Sequence, residues 1–157
     1  MKTNNNNTKN ESKNAANVAS FNYNNTAFKM SASFQGFKYG AFGDNLTHPH
    51  FIVSIRTENG ERTRFNFYAS YNDYQNNKQT LNREDLKGAL ECFLSDGSCY
   101  EGAQDFEDFC NELGYTKMSD YKRARNAFDG CKRHHEAAAR LFGSDYSNIL
   151  NEMYDEE

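Results

Sequence analysis

The run Phe51-Ile52-Val53-Ser54-Ile55, followed by Glu58-Asn59-Gly60 and then Thr63 to Tyr68, constrains the fold more than any other stretch of this sequence. Two β-rich runs around an Asn-Gly pair form the pattern of an antiparallel hairpin. The turn decides which side chains meet. A two-residue Asn59-Gly60 turn sets Thr57 opposite Arg62, and hence Val53 opposite Asn66 and Ile52 opposite Phe67, which mixes polar and apolar side chains on both faces. A three-residue loop with Gly60 in the left-handed bulge position sets Thr57 opposite Glu61, Val53 opposite Phe65 and Phe51 opposite Phe67. The second register buries one clean face, and it is the one expected.

Period two also governs the chain from Ala27, with Phe28, Met30, Ala32 and Phe34 on one side and Lys29, Ser31, Ser33 and Gln35 on the other, which predicts a half-buried strand. Gly36, Gly40 and Gly43 then interrupt Phe37, Tyr39 and Phe42, a short strand or a loop. Beyond Asn82 the period becomes 3.6. Asn82 with Asp85 reads as an N-cap, and Leu86, Ala89, Leu90, Phe93 and Leu94 form one apolar stripe expected to stop at Asp96-Gly97. A short helix is expected to hold Phe106, Phe109, Cys110 and Leu113 and to stop at Gly114. The longest helix is expected to start at a Ser119 cap and end at Gly143, and a last one to run from a Ser144 cap through Tyr146, Ile149, Leu150 and Met153. Strands first and helices second predict an α+β fold: an antiparallel β-sheet, made of the hairpin 51-68 plus an N-terminal strand, packed against about four helices.

The front of the chain has another character. Residues 1-25 are rich in Asn, with Phe21 and Tyr23 their only aromatics, and are expected to form a disordered tail ahead of a single domain at 26-157. Residues 1 to 20 lack the apolar stretch of a secretory signal, and no window approaches a membrane span. The expectation is therefore a cytoplasmic protein that does not enter a membrane, with Cys92, Cys99, Cys110 and Cys131 reduced and mostly buried. The formal net charge of -4 removes any general attraction to phosphate unless a local basic face supplies one.

Candidate chemistries each meet a plainer reading. Cys99, Cys110, Cys131 and His134 are zinc-ligand types, but only Cys131-x-x-His134 is closely spaced, and Cys110 and Cys131 fall on apolar stripes. No metal and no cofactor is expected. Cys131 and His135, four apart on one helix, are the only candidate for an activated thiol, and an amphipathic helix produces the same spacing by accident. Asp105, Glu107, Asp108 and Glu112 lie opposite the apolar side of their helix, where solvated acids favour its N-terminus. No phosphate-binding glycine loop, nucleophile elbow or Asp-rich metal loop occurs, so no catalytic residue is assigned and an enzyme is not expected.

Two binding surfaces remain. Tyr68, Tyr71 and Tyr74, among Asn and Ser and leading out of a strand, have the composition of a recognition loop. Lys122, Arg123, Arg125, Lys132, Arg133 and Arg140 make the long helix basic on its polar side, and Arg62 and Arg64 interleave with Phe65, Phe67 and Tyr68 as in single-strand binders. The combination of Arg64-Phe65-Asn66-Phe67, Leu94-Ser95-Asp96, the run Asp105 to Tyr115 and Leu141-Phe142-Gly143 resembles small proteins encoded by phages and prophages, over about residues 50-143. No reaction, cofactor or catalytic residue comes with that resemblance. It implies a protein of phage or mobile-element origin acting in a bacterial host by binding and blocking a host protein or nucleoprotein complex, in the manner of an anti-CRISPR defence inhibitor. In that reading the contacts are Tyr68, Tyr71, Tyr74, Asp105, Glu107, Asp108 and Glu112. The alternative is a nucleic-acid accessory protein using Arg62, Arg64, Lys122, Arg125, Lys132 and Arg133.

Overall fold

A computed structural model describes residues 16–102, 106–114 and 121–156. The chain has the α+β class expected and divides into two compact units, Met1–Ala89 and Leu90–Glu157. The first unit is built on strands β1 (Val18–Tyr23), β2 (Thr26–Tyr39), β3 (Thr47–Thr57) and β4 (Arg62–Tyr68), in the sheet order β1-β2-β3-β4, every neighbour antiparallel. The short helix α1 (Tyr71–Gln75) follows β4, and α2 (Arg83–Gly102) begins in this unit.

β1 corrects the expectation of a tail through Asn25. Asn24 and Asn25 both have positive φ, +52° and +58°, the backbone of a type I′ turn, which Asn adopts at less cost than other non-glycine residues. The turn sets Tyr23 opposite Thr26 and Phe21 opposite Phe28. Ala19, Phe21 and Tyr23 are then buried, with Phe21 stacked on Phe28 at 5.7 Å. Asn17 ties the start of the strand down: its amide donates to the Leu81 carbonyl at 2.6 Å, and its side-chain oxygen accepts from the Leu81 amide at 2.8 Å. The rest of the expected tail, residues 1–15, lies outside the described residues.

The hairpin takes the three-residue loop. Phe51 faces Phe67, Val53 faces Phe65, the Thr57 amide donates to the Glu61 carbonyl at 2.8 Å, and Gly60 sits at φ +92°. Phe28, Met30, Phe51, Val53, Ile55 and Phe65 consequently share one buried face. The stretch after Gly36 is not a separate element. β2 passes a bulge between Phe34 and Gly36 and pairs with β3 as far as Tyr39 opposite Thr47, which leaves residues 40–46 as a loop.

The Asn82 cap is present and reciprocal: the Asp85 amide donates to Asn82 Oδ1 at 2.9 Å, and the Asn82 amide donates to Asp85 Oδ2 at 3.0 Å. The stop at Asp96-Gly97 is not, since α2 continues to Gly102. Gly97 marks a close approach. A Cβ there would stand 2.9 Å from Tyr146 Oη and 3.2 Å from both the Cα and the amide nitrogen of His135, so even a methyl group enters only if these neighbours shift. The second unit holds that half of α2 with α3 (Phe106–Leu113), α4 (Tyr121–Phe142) and α5 (Asn148–Asp155). Phe128 is its hub, edge-on to Phe106 and Phe109 at 5.4 and 5.2 Å and tilted against Tyr100 at 5.4 Å. Ser144 lies in a turn and α5 starts at Asn148, later than expected, while the expected cap Ser119 lies outside the described residues.

Candidate nucleic-acid interface

The second face of the sheet follows from the same register. No Asp or Glu occurs in any of the four strands, in a chain whose formal charge is -4. Lys29 pairs with Arg56, and Arg56 with Arg62, so three cations stand side by side across three strands on the side away from Met30, Val53 and Phe65. The next row is Ser31, Ser54 and Arg64, and the one beyond it Ser33, Ile52 and Asn66. Around the cationic end is a groove of about 650 Å³ lined by Lys29, Ser31, Ser54, Arg56, Arg62 and Arg64.

Like charges directly opposite one another destabilise a sheet. At about 6 Å in water-like surroundings each neighbouring pair costs about 0.7 kcal/mol. Among the described residues Lys29, Arg56 and Arg64 have no ion-pair partner to offset this. A polyanion laid across the rows turns that repulsion into attraction, which is the chemistry that the face can perform.

The opposite end of the same face is aromatic. His50 faces Tyr68 across the strands and stacks on it at 4.6 Å, while its Nε2 lies 2.9 Å from Asn66 Oδ1. Loop 40–46 folds over the neighbouring His48, which is 4% exposed. His48 Nδ1 donates to the Ala69 carbonyl at 2.8 Å, and Nε2 meets Asp44 Oδ2 at 2.8 Å. The His48 hydrogen bond holds the Asp44 carboxyl below its ordinary range. Phe42 stands edge-on to His48 at 4.6 Å and to Tyr68 at 5.9 Å, yet 62% of it is exposed.

The structure divides the residues expected to bind. Arg62 and Arg64 share the basic face, joined by Lys29 and Arg56. Lys122, Arg125, Lys132 and Arg133 lie on α4 in the other unit, all exposed, and Arg125 pairs with Asp129 at 3.5 Å while lying over the Phe106 ring at 5.1 Å. The supposed tyrosine loop is partly helix. Ser70 and Asp73 cap α1 reciprocally, Tyr74 packs edge-on to Phe37 at 5.1 Å and on Tyr71 at 6.0 Å, and Tyr68 belongs to β4 on the basic face. Of the acidic group, Glu107 is exposed and Asp108 half-buried, while Asp105 and the Glu112 side chain lie outside the described residues.

The thiols correct another expectation, because Cys92 and Cys99 are exposed and only Cys110 and Cys131 are half-buried; none of the four is in a disulfide. Burial pushes the Cys131 thiol up to about 12, helped by Asp96 and Cys99. His135, its expected base, instead faces the buried Tyr146 hydroxyl at 2.9 Å. The pair is thus not an activated nucleophile. Among the described residues no group of three or more His, Cys, Asp or Glu side chains is placed to hold a metal, and no helix is long and apolar enough to cross a membrane.

Neither a protein-family model, nor a curated protein, nor a solved structure matches this chain.

Proposed function

We propose that this is a non-catalytic nucleic-acid-binding protein whose contact surface is the basic face of the four-stranded sheet. The observation that carries the reading is the Lys29–Arg56–Arg62 row with Arg64 beside it, on strands that hold no acid, in a chain that is acidic overall. Backbone phosphates suit such a surface because they present regularly spaced negative charge, and contact with them releases condensed counterions. The test compares two charge-reversed variants in anisotropy titrations with a labelled oligonucleotide. Arg56→Glu with Arg64→Glu is expected to abolish binding, whereas Lys132→Glu with Arg133→Glu leaves most of it. The reverse outcome transfers the function to α4 and overturns this reading.

A second reading, of a phage-borne protein that blocks a host protein, draws on the other ring cluster, where Tyr39 is 65% exposed and Tyr71 and Tyr74 are each 36% exposed. If Tyr71→Ala with Tyr74→Ala captures the same host proteins as the unaltered chain, that reading loses its surface.

A further inference from the structure

We propose that the nucleic acid taken by this face is single-stranded, with its backbone along the cationic rows and a base stacked on Phe42. The proposal rests on the nucleic-acid reading above and adds the ligand's strandedness.

Its starting point is the position of Phe42. A large ring that is 62% exposed is ordinarily mobile, but this one is built in from below and behind. His48 and Tyr68 each meet it edge-on. The loop that carries it is closed by the Gly40 amide donating to the Leu46 carbonyl at 2.8 Å, by the Gly43 amide donating to the Gly40 carbonyl at 3.0 Å, and by Asp44 gripping His48. In edge-to-face packing one ring gives its edge and the other part of one face; with 62% of Phe42 exposed, most of its surface stays open. A preorganised, exposed aromatic face is what an unstacked base uses, since every base has a π-face and stacking is worth about 1–3 kcal/mol per base by alanine substitution.

Placement makes the ring and the cations one site. Arg56 and His50 are six residues apart on β3, about 20 Å along the strand. Between them stand Ser31, Ser33, Ser54 and Asn66, small or short polar side chains that allow a flexible strand to lie close, with half-exposed Ile52 in their midst. Lys38, paired with His48, adds an exposed cation at the aromatic end. In a duplex the faces of the bases are covered by their neighbours, so Phe42 would find nothing to stack on. A single strand satisfies both ends of the face at once.

Because the chain has no tryptophan, Phe42→Trp creates a sole indole reporter at the site. Full-length Phe42→Trp is titrated with a mixed-sequence single-stranded oligonucleotide and with its duplex. Quenching of the indole by the single strand, and none at equal saturation by the duplex, is expected. In parallel, Phe42→Leu, which keeps apolar cover over His48 but removes the ring, should weaken single-strand binding by about five- to a hundredfold and leave duplex binding unchanged. Equal quenching by both forms, or an unchanged single-strand affinity in folded Phe42→Leu, overturns the single-strand proposal while the basic-face reading stands. Absence of binding to either form sinks the basic-face reading and this proposal with it.

Discussion

Replacing Arg56 by Gln removes the middle charge of the Lys29–Arg56–Arg62 row while keeping most of the side-chain stem. Two like-charge neighbours are relieved at once. At about 0.7 kcal/mol each, reduced by roughly half at physiological salt, the folded chain should gain about 0.7 kcal/mol, rising toward about 1.4 at low salt. Thermal unfolding at low salt should therefore shift upward by about 3–6 °C. Binding should move the other way. One lost phosphate contact on a single strand flattens the salt slope by about 0.7 and costs about fivefold in affinity at 0.1 M salt. The assay is a pair of measurements on one preparation, a melting curve at two salt concentrations and an anisotropy titration. Higher stability with lower affinity is the signature of charges retained for a ligand. Loss of stability with unchanged affinity would refute the argument, since Arg56 would then be part of the scaffold.

Three further outcomes follow from the geometry. Gly97→Ala should destabilise the chain by about 1–3 kcal/mol in denaturant unfolding, although alanine favours a helix, because its Cβ meets the His135 backbone at 3.2 Å; an unchanged midpoint would show that the contact is not tight. Asp44 has its carboxyl lowered in the folded state, so the His48 contact contributes stability above the ordinary carboxylate range, and this is lost as pH falls through the folded-state value. The difference in melting temperature between the unaltered chain and Asp44→Asn should accordingly be constant near neutral pH and shrink in acid; a difference that grows on acidification would contradict the assignment. Cys131, with its thiol at about 12, should alkylate orders of magnitude more slowly in the native chain than after unfolding at neutral pH, and equal rates would return it to the list of reactive thiols.

Much of this architecture was legible in the sequence, and the gaps have physical causes. The β3–β4 register could be read because Asn59-Gly60 fixes the turn and only one pairing keeps Phe51, Val53, Phe65 and Phe67 together. β1 was hidden because the Asn residues that make its type I′ turn sit in a stretch whose overall composition is that of an unfolded chain. The end of α2 was misplaced because a glycine that stops a helix and one that admits a neighbouring helix look alike until the neighbour is known. For the site, Arg62 and Arg64 were found from their interleaving with aromatics. Lys29 and Arg56 were not, since they become neighbours only through the β2–β3 pairing across 27 residues of chain. Phe42 and His48 were missed for a similar reason: what gives them meaning is loop 40–46 folding back over the sheet to meet Tyr68 and Ala69.

The most direct test of the basic sheet face is the salt dependence of oligonucleotide binding to the unaltered chain and to Lys29→Gln, Arg56→Gln, Arg64→Gln. For three or four neutralised backbone phosphates the logarithm of affinity should fall with the logarithm of salt at a slope of about -2 to -3, and the triple variant should lose about two of that slope. A slope near zero, or a triple variant indistinguishable from the unaltered chain, would contradict it.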